Sequence, residues 1–239
     1  MRRRSEGRAS ESGMVLVVVT VVAGLLLLSG LGLVALAGRD MLTMRHRVER
    51  QHLRHLAYGA LHVAATALAT SSFHEVLRGN IRTAAGDPAS VASYALTLDI
   101  IVDVRSETAW LTCGRRTSCT DTDRRRTTMT RPWGPRNPQW VVVMQGPSSR
   151  WWPGAWHRGS VVVVWAGDDA REIDGDPAHD DEAGPATGQG IVRLYAVAYG
   201  VSGGRQAVEA ELIRYCEATV AHCQTGCELS GVREVNSEL

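Results

Sequence analysis

Between Met14 and Ala37 the chain reads MVLVVVTVVAGLLLLSGLGLVALA, a stretch without a single charge. Wound as a helix at about 1.5 Å per residue, it is long enough to cross a bilayer core of roughly 30 Å. The segment before it, MRRRSEGRASESG, is short and basic and ends in Gly13. A secretory signal peptide has a shorter apolar core followed by small-x-small cleavage chemistry. Here the basic leader runs directly into a full-length apolar helix, with glycine at the junction. Arg2, Arg3, Arg4 and Arg8 hold the N-terminus in the cytoplasm by the positive-inside rule. Arg39, Arg45 and Arg47 follow the span and weaken that contrast. Everything after about Arg39 is expected outside the cytoplasm. An ordinary bitopic protein with an uncleaved anchor shares this pattern.

The sequence beyond the span is long enough for one domain with a real core. Net charge is +1, which gives no electrostatic case for a nucleic-acid partner. There are seven Trp against one Phe, Phe73, and every basic residue is Arg. The five cysteines, Cys113, Cys119, Cys216, Cys223 and Cys227, all fall on the expected outer side, where disulfides persist. Cys113 and Cys119 enclose a short polar loop, GRRTS, and are expected to pair. Two of Cys216, Cys223 and Cys227 can close a second loop and leave an odd thiol. Cys223 and Cys227 beside His222 also offer soft metal ligands, but zinc sites usually need two ligand pairs of suitable spacing.

From Arg39 to about Arg78 the pattern stays helical. Leu53, Ala57, Ala60, Leu61, Ala64 and Leu68 recur at three- and four-residue steps and make one apolar stripe. Arg45, Arg47, Glu49, Arg50 and Arg54 occupy other faces. No Pro interrupts the stretch from Met14 to Asp87, so span and amphipathic segment can be one continuous helix, with Gly24, Gly30, Gly32 and Gly38 as soft points. Gly79–Asn80 is the expected left-handed cap. Strand patterns follow at 94–104 (YALTLDIIVDV), 139–144 (QWVVVM), 160–165 (SVVVVW) and 191–199 (IVRLYAVAY). GVSGGR then leads into QAVEAELIRY, where Ala207, Glu209 and Glu211 alternate with Val208, Ala210 and Leu212, the signature of a hairpin. The loops between are Pro/Gly/Arg-rich (RPWGPRNPQ, PSSRWWPGAWHRG) or acidic (168–182).

A long helix that begins in a membrane and then packs on an antiparallel sheet of about four to six strands is an α+β, pilin-like architecture. The segment SGMVLVVVTVVAGLLLLSGLGLVALAGRDMLTMRHRVERQHLRHLAYGALHVAATAL resembles the N-terminal helix of the PilX-type minor pilins of type IV pili. VRLYAVAYGVSGGRQAVEAELIRY resembles the closing hairpin of the same family. The junction Gly13–Met14 resembles a prepilin peptidase site, at which the leader is cut off and the helix stays on the mature protein. The resemblance implies cleavage after Gly13, methylation of Met14, and a chain anchored in the bacterial inner membrane with a periplasmic domain. It also implies partners: other minor and major pilins, the inner-membrane assembly platform and the peptidase. The implied role is pilus assembly, as a priming or tip subunit. Major pilins carry Glu at the fifth mature position. This chain has Val18 there, a feature shared by some PilX-like proteins and by tip pseudopilins of type II secretion, which argues against a major subunit.

The expected organisation is a leader (1–13), a membrane half-helix (14–38), an amphipathic half-helix (39–79), a β-rich periplasmic domain (80–215) and a Cys-containing tail (216–239). His46, His52, His55, His62 and His74 fall on the helix. His52 and His55 can share a face, but a metal would need further ligands across a packed partner. The acidic loop holds Asp168, Asp169, Asp174, Asp176, Asp180, Asp181 and Glu182, without the full spacing of a calcium loop. No nucleophile-elbow, zinc-peptidase or phosphate-loop motif occurs, and nothing places Cys113 beside His157 as nucleophile and base. No enzyme, cofactor or metal is expected. Trp140 and Trp165 sit in strands and suit a core. Trp151 and Trp152, after Arg150, suit a binding surface. A tip pseudopilin and a membrane-anchored periplasmic binding protein are the alternatives.

Overall fold

The computed structural model describes residues 6–69, 71, 73–77, 93–97, 99–120, 122–123, 139–153, 159–169, 190–218 and 223–235; at 6–13, 73–74, 215–218 and 223–226 only the backbone is described. The chain divides into two units, Met1–Val48 and Glu49–Leu239. Helix α1 (Glu6–Leu68) contributes to both. It is followed by α2 (Phe73–Leu77), β1 (Ser93–Ala95), β2 (Ile101–Asp103), α3 (Val104–Cys113), β3 (Val141–Pro147), β4 (Val161–Asp168), β5 (Ile191–Tyr199), β6 (Arg205–Ala218) and β7 (Cys223–Val235).

The second unit is built on a five-stranded antiparallel sheet in the order β3-β4-β5-β6-β7, each strand beside its sequence neighbour. Every residue of β4 is buried. That is the behaviour of a strand covered on both faces, and it explains why VVVVW shows no polar alternation. The two faces split by parity, as a period of two requires. Val162, Val164, Ala166, Leu194, Ala196, Ala198, Val208, Ala210 and Leu212 join Leu53, Leu56, Ala57, Ala60, Leu61, Ala64 and Leu68 of α1 in one core. Val161, Val163, Trp165, Tyr195, Val197, Tyr199 and Ala207 face the other way, against Val102, Val104, Leu111 and Trp140. A bulge between Val142 and Met144 shifts the register of β3 on β4.

Small residues set how closely the helix approaches its neighbours. A Cβ on Gly59 would lie 2.8 Å from Cζ2 of Trp152, so that ring occupies the space a side chain would fill. Where β5 turns into β6, a Cβ on either Gly200 or Gly204 would come within 3.1 Å of Leu53 Cδ1. Ser202 in the same turn donates to the Glu49 carboxylate. Arg54 on α1 pairs with Glu234 on β7 at 2.5 Å.

Three expectations need correction. The helix does not run unbroken to 79: α1 stops at Leu68, Ser71 N donates to Leu68 O, and α2 is a separate turn. The sequence favours a stop here, since serine and threonine are weaker helix formers than the alanine and leucine before them. The cap expected at Gly79–Asn80 lies outside the described residues. The stretch 94–104 is no single strand. It folds back as a β1–β2 hairpin, with Tyr94 opposite Val102, and Val104 opens α3. Residues 216–239 are not simply a tail, because β7 pairs with β6 from Ala218↔Cys223 to Ala207↔Val235.

Leu61 is wholly enclosed between helix and sheet, which makes it a direct test of this packing. Leu61→Ala is expected to lower unfolding stability by about 2–5 kcal/mol. Denaturant midpoints of wild type and variant at equal m-value check it.

Candidate functional site

The first feature lies in the first unit. From Met14 to Leu36 the apolar side chains of α1 are exposed, with Met14 at 73 %, Val18 at 54 % and Leu36 at 60 %. Thr20 and Ser29 return their hydroxyls to the carbonyls of Leu16 and Leu25 one turn back, so they present no unsatisfied donor. In water this surface would be costly, and in lipid it is matched. By length and composition α1 can cross a membrane. Gly13 and Met14, the expected processing junction, lie within the helical run of α1.

The second feature is a polar network beneath α3. This helix has clear local causes. Asp103 caps its N-terminus by accepting from Arg105 N and Ser106 N, each at 3.1 Å. Gly114, at φ +72°, ends it and donates to Trp110 O. The cap brings Glu107 over the sheet, where one carboxylate oxygen meets Arg205 Nη2 at 3.4 Å and the other meets Arg116 Nη1 at 3.3 Å. Arg205 also donates to the Tyr195 hydroxyl at 3.5 Å and lies 5.9 Å from the centre of the Tyr199 ring. Trp165 Nε1 donates to Thr108 Oγ1 at 2.8 Å, and Trp140 N to Thr112 Oγ1 at 3.1 Å, so α3 is tied to the sheet along its length. Nearby, Glu209 on β6 is held by Arg233 at 3.0 Å and Arg193 at 3.8 Å.

Burial governs the titration of this network. It pushes the Tyr195 phenol up to about 12, with Arg205 opposing and Glu107 and Glu209 reinforcing. Tyr199 is raised still further, chiefly by burial. Burial works to lower Arg205, but Tyr199, Tyr195 and Glu107 outweigh it and leave the guanidinium raised. The neutral phenols and the fixed cation give a structural clasp rather than an acid–base pair poised near neutrality.

Cys113 and Cys119 form a disulfide, with Cα atoms 6.1 Å apart. It closes the loop that carries Arg116 back to Glu107 and over the Trp110 ring at 5.8 Å. Cys113 is therefore bonded to sulfur, and His157 lies outside the described residues. Along β6 and β7, Cys216 is registered opposite Thr225, two positions from both Cys223 and Cys227 on the partner strand. The Cys227 thiol faces Ala69 O at 3.6 Å.

The remaining sequence candidates are dispersed. His46, His55 and His62 are exposed along α1 and His52 is half-buried; the side chain of His74 lies outside the description. Among the described residues no group of three His, Cys, Asp or Glu side chains is placed to hold a metal. Asp168 and Asp169 are buried at the end of β4, where Asp168 accepts from Asp169 N, and the rest of the acidic loop lies outside the described residues. Trp140 and Trp165 are core residues that flank Tyr195 at 5.8 and 5.9 Å. Trp151 and Trp152 are not a free binding surface. Both are half-buried against the α1 side of the core, with Arg150 lying over Trp151. Sequence reading missed α3 and its clasp, although Asp103 and Gly114 were visible as start and stop signals.

Two outcomes test this geometry. Replacing Cys113 and Cys119 by Ser is expected to cost about 2–3 kcal/mol on chain-entropy grounds, read from denaturant midpoints under oxidising conditions. Non-reducing peptide mapping should join Cys113 to Cys119. A tyrosine raised by burial contributes stability that is fully present below its unfolded value, about 10, and is lost as pH climbs through its folded value, about 12. Unfolding stability should therefore fall between about pH 10 and pH 12. In Tyr195→Phe that alkaline limb should flatten relative to wild type, with tyrosinate absorbance reporting the titration.

No family model, curated protein or solved structure matches this chain, so a functional reading rests on residue pattern and geometry.

Proposed function

We propose that this chain is a PilX-like minor pilin, anchored in the bacterial inner membrane, that takes part in type IV pilus assembly by helix packing with other pilins. One observation carries the reading. A single helix exposes its apolar side chains from Met14 to Leu36, and its last turns supply one side of the core of a five-stranded antiparallel sheet. A subunit of this kind works by exchanging one apolar environment for another. The span leaves lipid and packs among other apolar helices, so the transfer strips away no matched surroundings.

The resemblance of the Gly13–Met14 junction to a prepilin site fits this use, because cutting there removes the charged leader and leaves the span intact. Val18, within that exposed surface, gives the mature N-terminus no carboxylate to neutralise a neighbouring subunit's amine. An isolated ammonium in apolar surroundings is costly, which favours a priming or tip position over repeated polymer contacts.

Processing is the direct test. In cells with an active prepilin peptidase, N-terminal sequencing and intact mass should find a chain starting at methylated Met14. Gly13→Leu should block the cut. Deletion of the gene should reduce surface pili, and wild type should restore them. A chain that keeps its leader beside an active peptidase would sink the pilin reading and leave a membrane-anchored periplasmic binding protein. Normal piliation with loss of protein secretion would point to a tip pseudopilin.

A further inference from the structure

We propose that Arg39, Arg45 and Arg47 form a cationic collar on α1 that binds the phosphate headgroups of anionic phospholipids where the helix leaves the bilayer. The inference rests on the membrane-spanning reading above and adds a lipid partner to it.

The placement begins with length. The apolar run from Met14 to Ala37 rises about 36 Å at 1.5 Å per residue, somewhat more than a hydrocarbon core of roughly 30 Å. Arg39 therefore enters the headgroup layer, and Arg45 and Arg47 follow about 9 and 12 Å further along the helix. Arg45 stands about one Debye length of roughly 8 Å beyond Arg39 and Arg47 about one and a half, and a guanidinium on its flexible stem shortens both distances by reaching back toward the phosphates. Asp40 is the only acid between Gly38 and Val48. All three arginines are exposed.

The distribution around the helix argues for lipid over a protein face. At about 100° per residue, with Arg39 at zero, Arg47 lies near 80° and Arg45 near 240°. Cations spread round the circumference suit a ring of headgroups that encircles the helix. A single docked partner would select a stripe. The residues between them support the same site. Met41 at 77 % exposure, Leu42 and Met44 stay apolar among the cations, a mixture that fits the boundary between headgroup and acyl chain. Guanidinium suits the ligand as well, because its planar fork matches phosphate oxygens in pairs. The collar also accounts for arginines on the far side of the span, which weaken the positive-inside contrast and would otherwise work against the orientation.

The test uses the full chain reconstituted in phosphatidylcholine bilayers that contain trace spin-labelled phosphatidylglycerol or spin-labelled phosphatidylcholine. The motionally restricted fraction of each gives relative association constants. Wild type should favour the anionic lipid by about twofold or more, and the preference should shrink as salt rises. Arg39→Gln/Arg45→Gln/Arg47→Gln should bring the ratio to about one. If the triple variant does not insert, Arg45→Gln/Arg47→Gln, which keeps the cation nearest the span, should show a partial loss. Inorganic phosphate should reduce the preference no more than chloride at equal ionic strength. No preference in wild type, or a preference that survives neutralisation, would overturn the collar. Stronger displacement by phosphate than by chloride would replace it with a phosphate site. Alkaline carbonate extraction separates the two levels of the argument. A chain released by carbonate defeats the membrane-spanning reading and the collar together, whereas an embedded chain without selectivity defeats the collar alone.

Discussion

A sheet that is apolar on both faces needs two covers, and the second unit of this protein is organised by that need. β4 is buried along its whole length and β5 nearly so. Neither strand can face water on either side without large loss of buried area. The last turns of α1 cover one face. The β1–β2 hairpin and α3 cover the other. The polar groups that come with the second cover are then obliged to pair, since a buried donor or charge without a partner is expensive. Glu107, Arg205 and Tyr195 meet this condition together, and Thr108 and Thr112 meet it for Trp165 Nε1 and Trp140 N. The disulfide at the end of α3 constrains the loop that supplies Arg116, so covalent and ionic restraints converge on one helix of ten residues.

Helix α1 faces the opposite demand along its length. Its exposed apolar side chains between Met14 and Leu36 ask for lipid or for other helices, while further along the stripe of Leu53, Leu56, Ala57, Ala60, Leu61, Ala64 and Leu68 is enclosed by protein. The changeover falls where Glu49 meets Ser202 and where Gly200 and Gly204 admit Leu53. Alanine and leucine share the enclosed stripe, and Ala57, Ala60, Ala64 and Ala65 let the helix lie close to a sheet rich in valine. Where Gly59 stands, the ring of Trp152 takes the vacant volume.

Much of this was legible in the sequence, for physical reasons that can be named. The span declares itself by length and lack of charge. The helical stripe from Leu53 to Leu68 declares itself by period. The strands at β3, β4, β5 and β6 were visible as runs of valine or as alternation, and the glycine turn fixed the β5–β6 hairpin. The errors arose where local signals compete. YALTLDIIVDV is β-branched enough to read as one strand, yet Leu96 and Thr97 both turn to Ile100 O. Asp103 does close strand β2, as its place after isoleucine and valine suggests, but its side chain also caps a helix that the strand pattern concealed. β7 was read by its cysteines, and its alternation is broken by Gly226 and Gly231. The clasp was only half within reach: Tyr195 and Arg205 sit on one hairpin, but Glu107 is 98 residues from Arg205 in sequence, and only the packing of α3 on the sheet brings it there. Trp151 and Trp152 misled by composition, since a Trp beside Arg and Pro can pack inward as readily as outward.

The exclusive use of arginine links the two ends of this argument. At Arg205 the cation is buried beside two phenols and a carboxylate, and these neighbours outweigh the cost of burial and hold the charge in place. Guanidinium stays charged there, lies against the Tyr199 ring and shares its donors between Glu107 and Tyr195. The same chemistry makes Arg39, Arg45 and Arg47 effective toward phosphate at a bilayer surface. A base composition that favours arginine codons can supply the residue everywhere, but it does not choose where each one packs. The fold makes that choice: where an acid and aromatic rings enclose the cation it locks a helix onto a sheet, and where apolar side chains and solvent surround it the cation is left available to headgroups. Substituting lysine would separate the two uses, because a lysine at 205 loses the paired geometry that holds α3, whereas lysines at 39, 45 and 47 keep their charge and most of their attraction to an anionic surface.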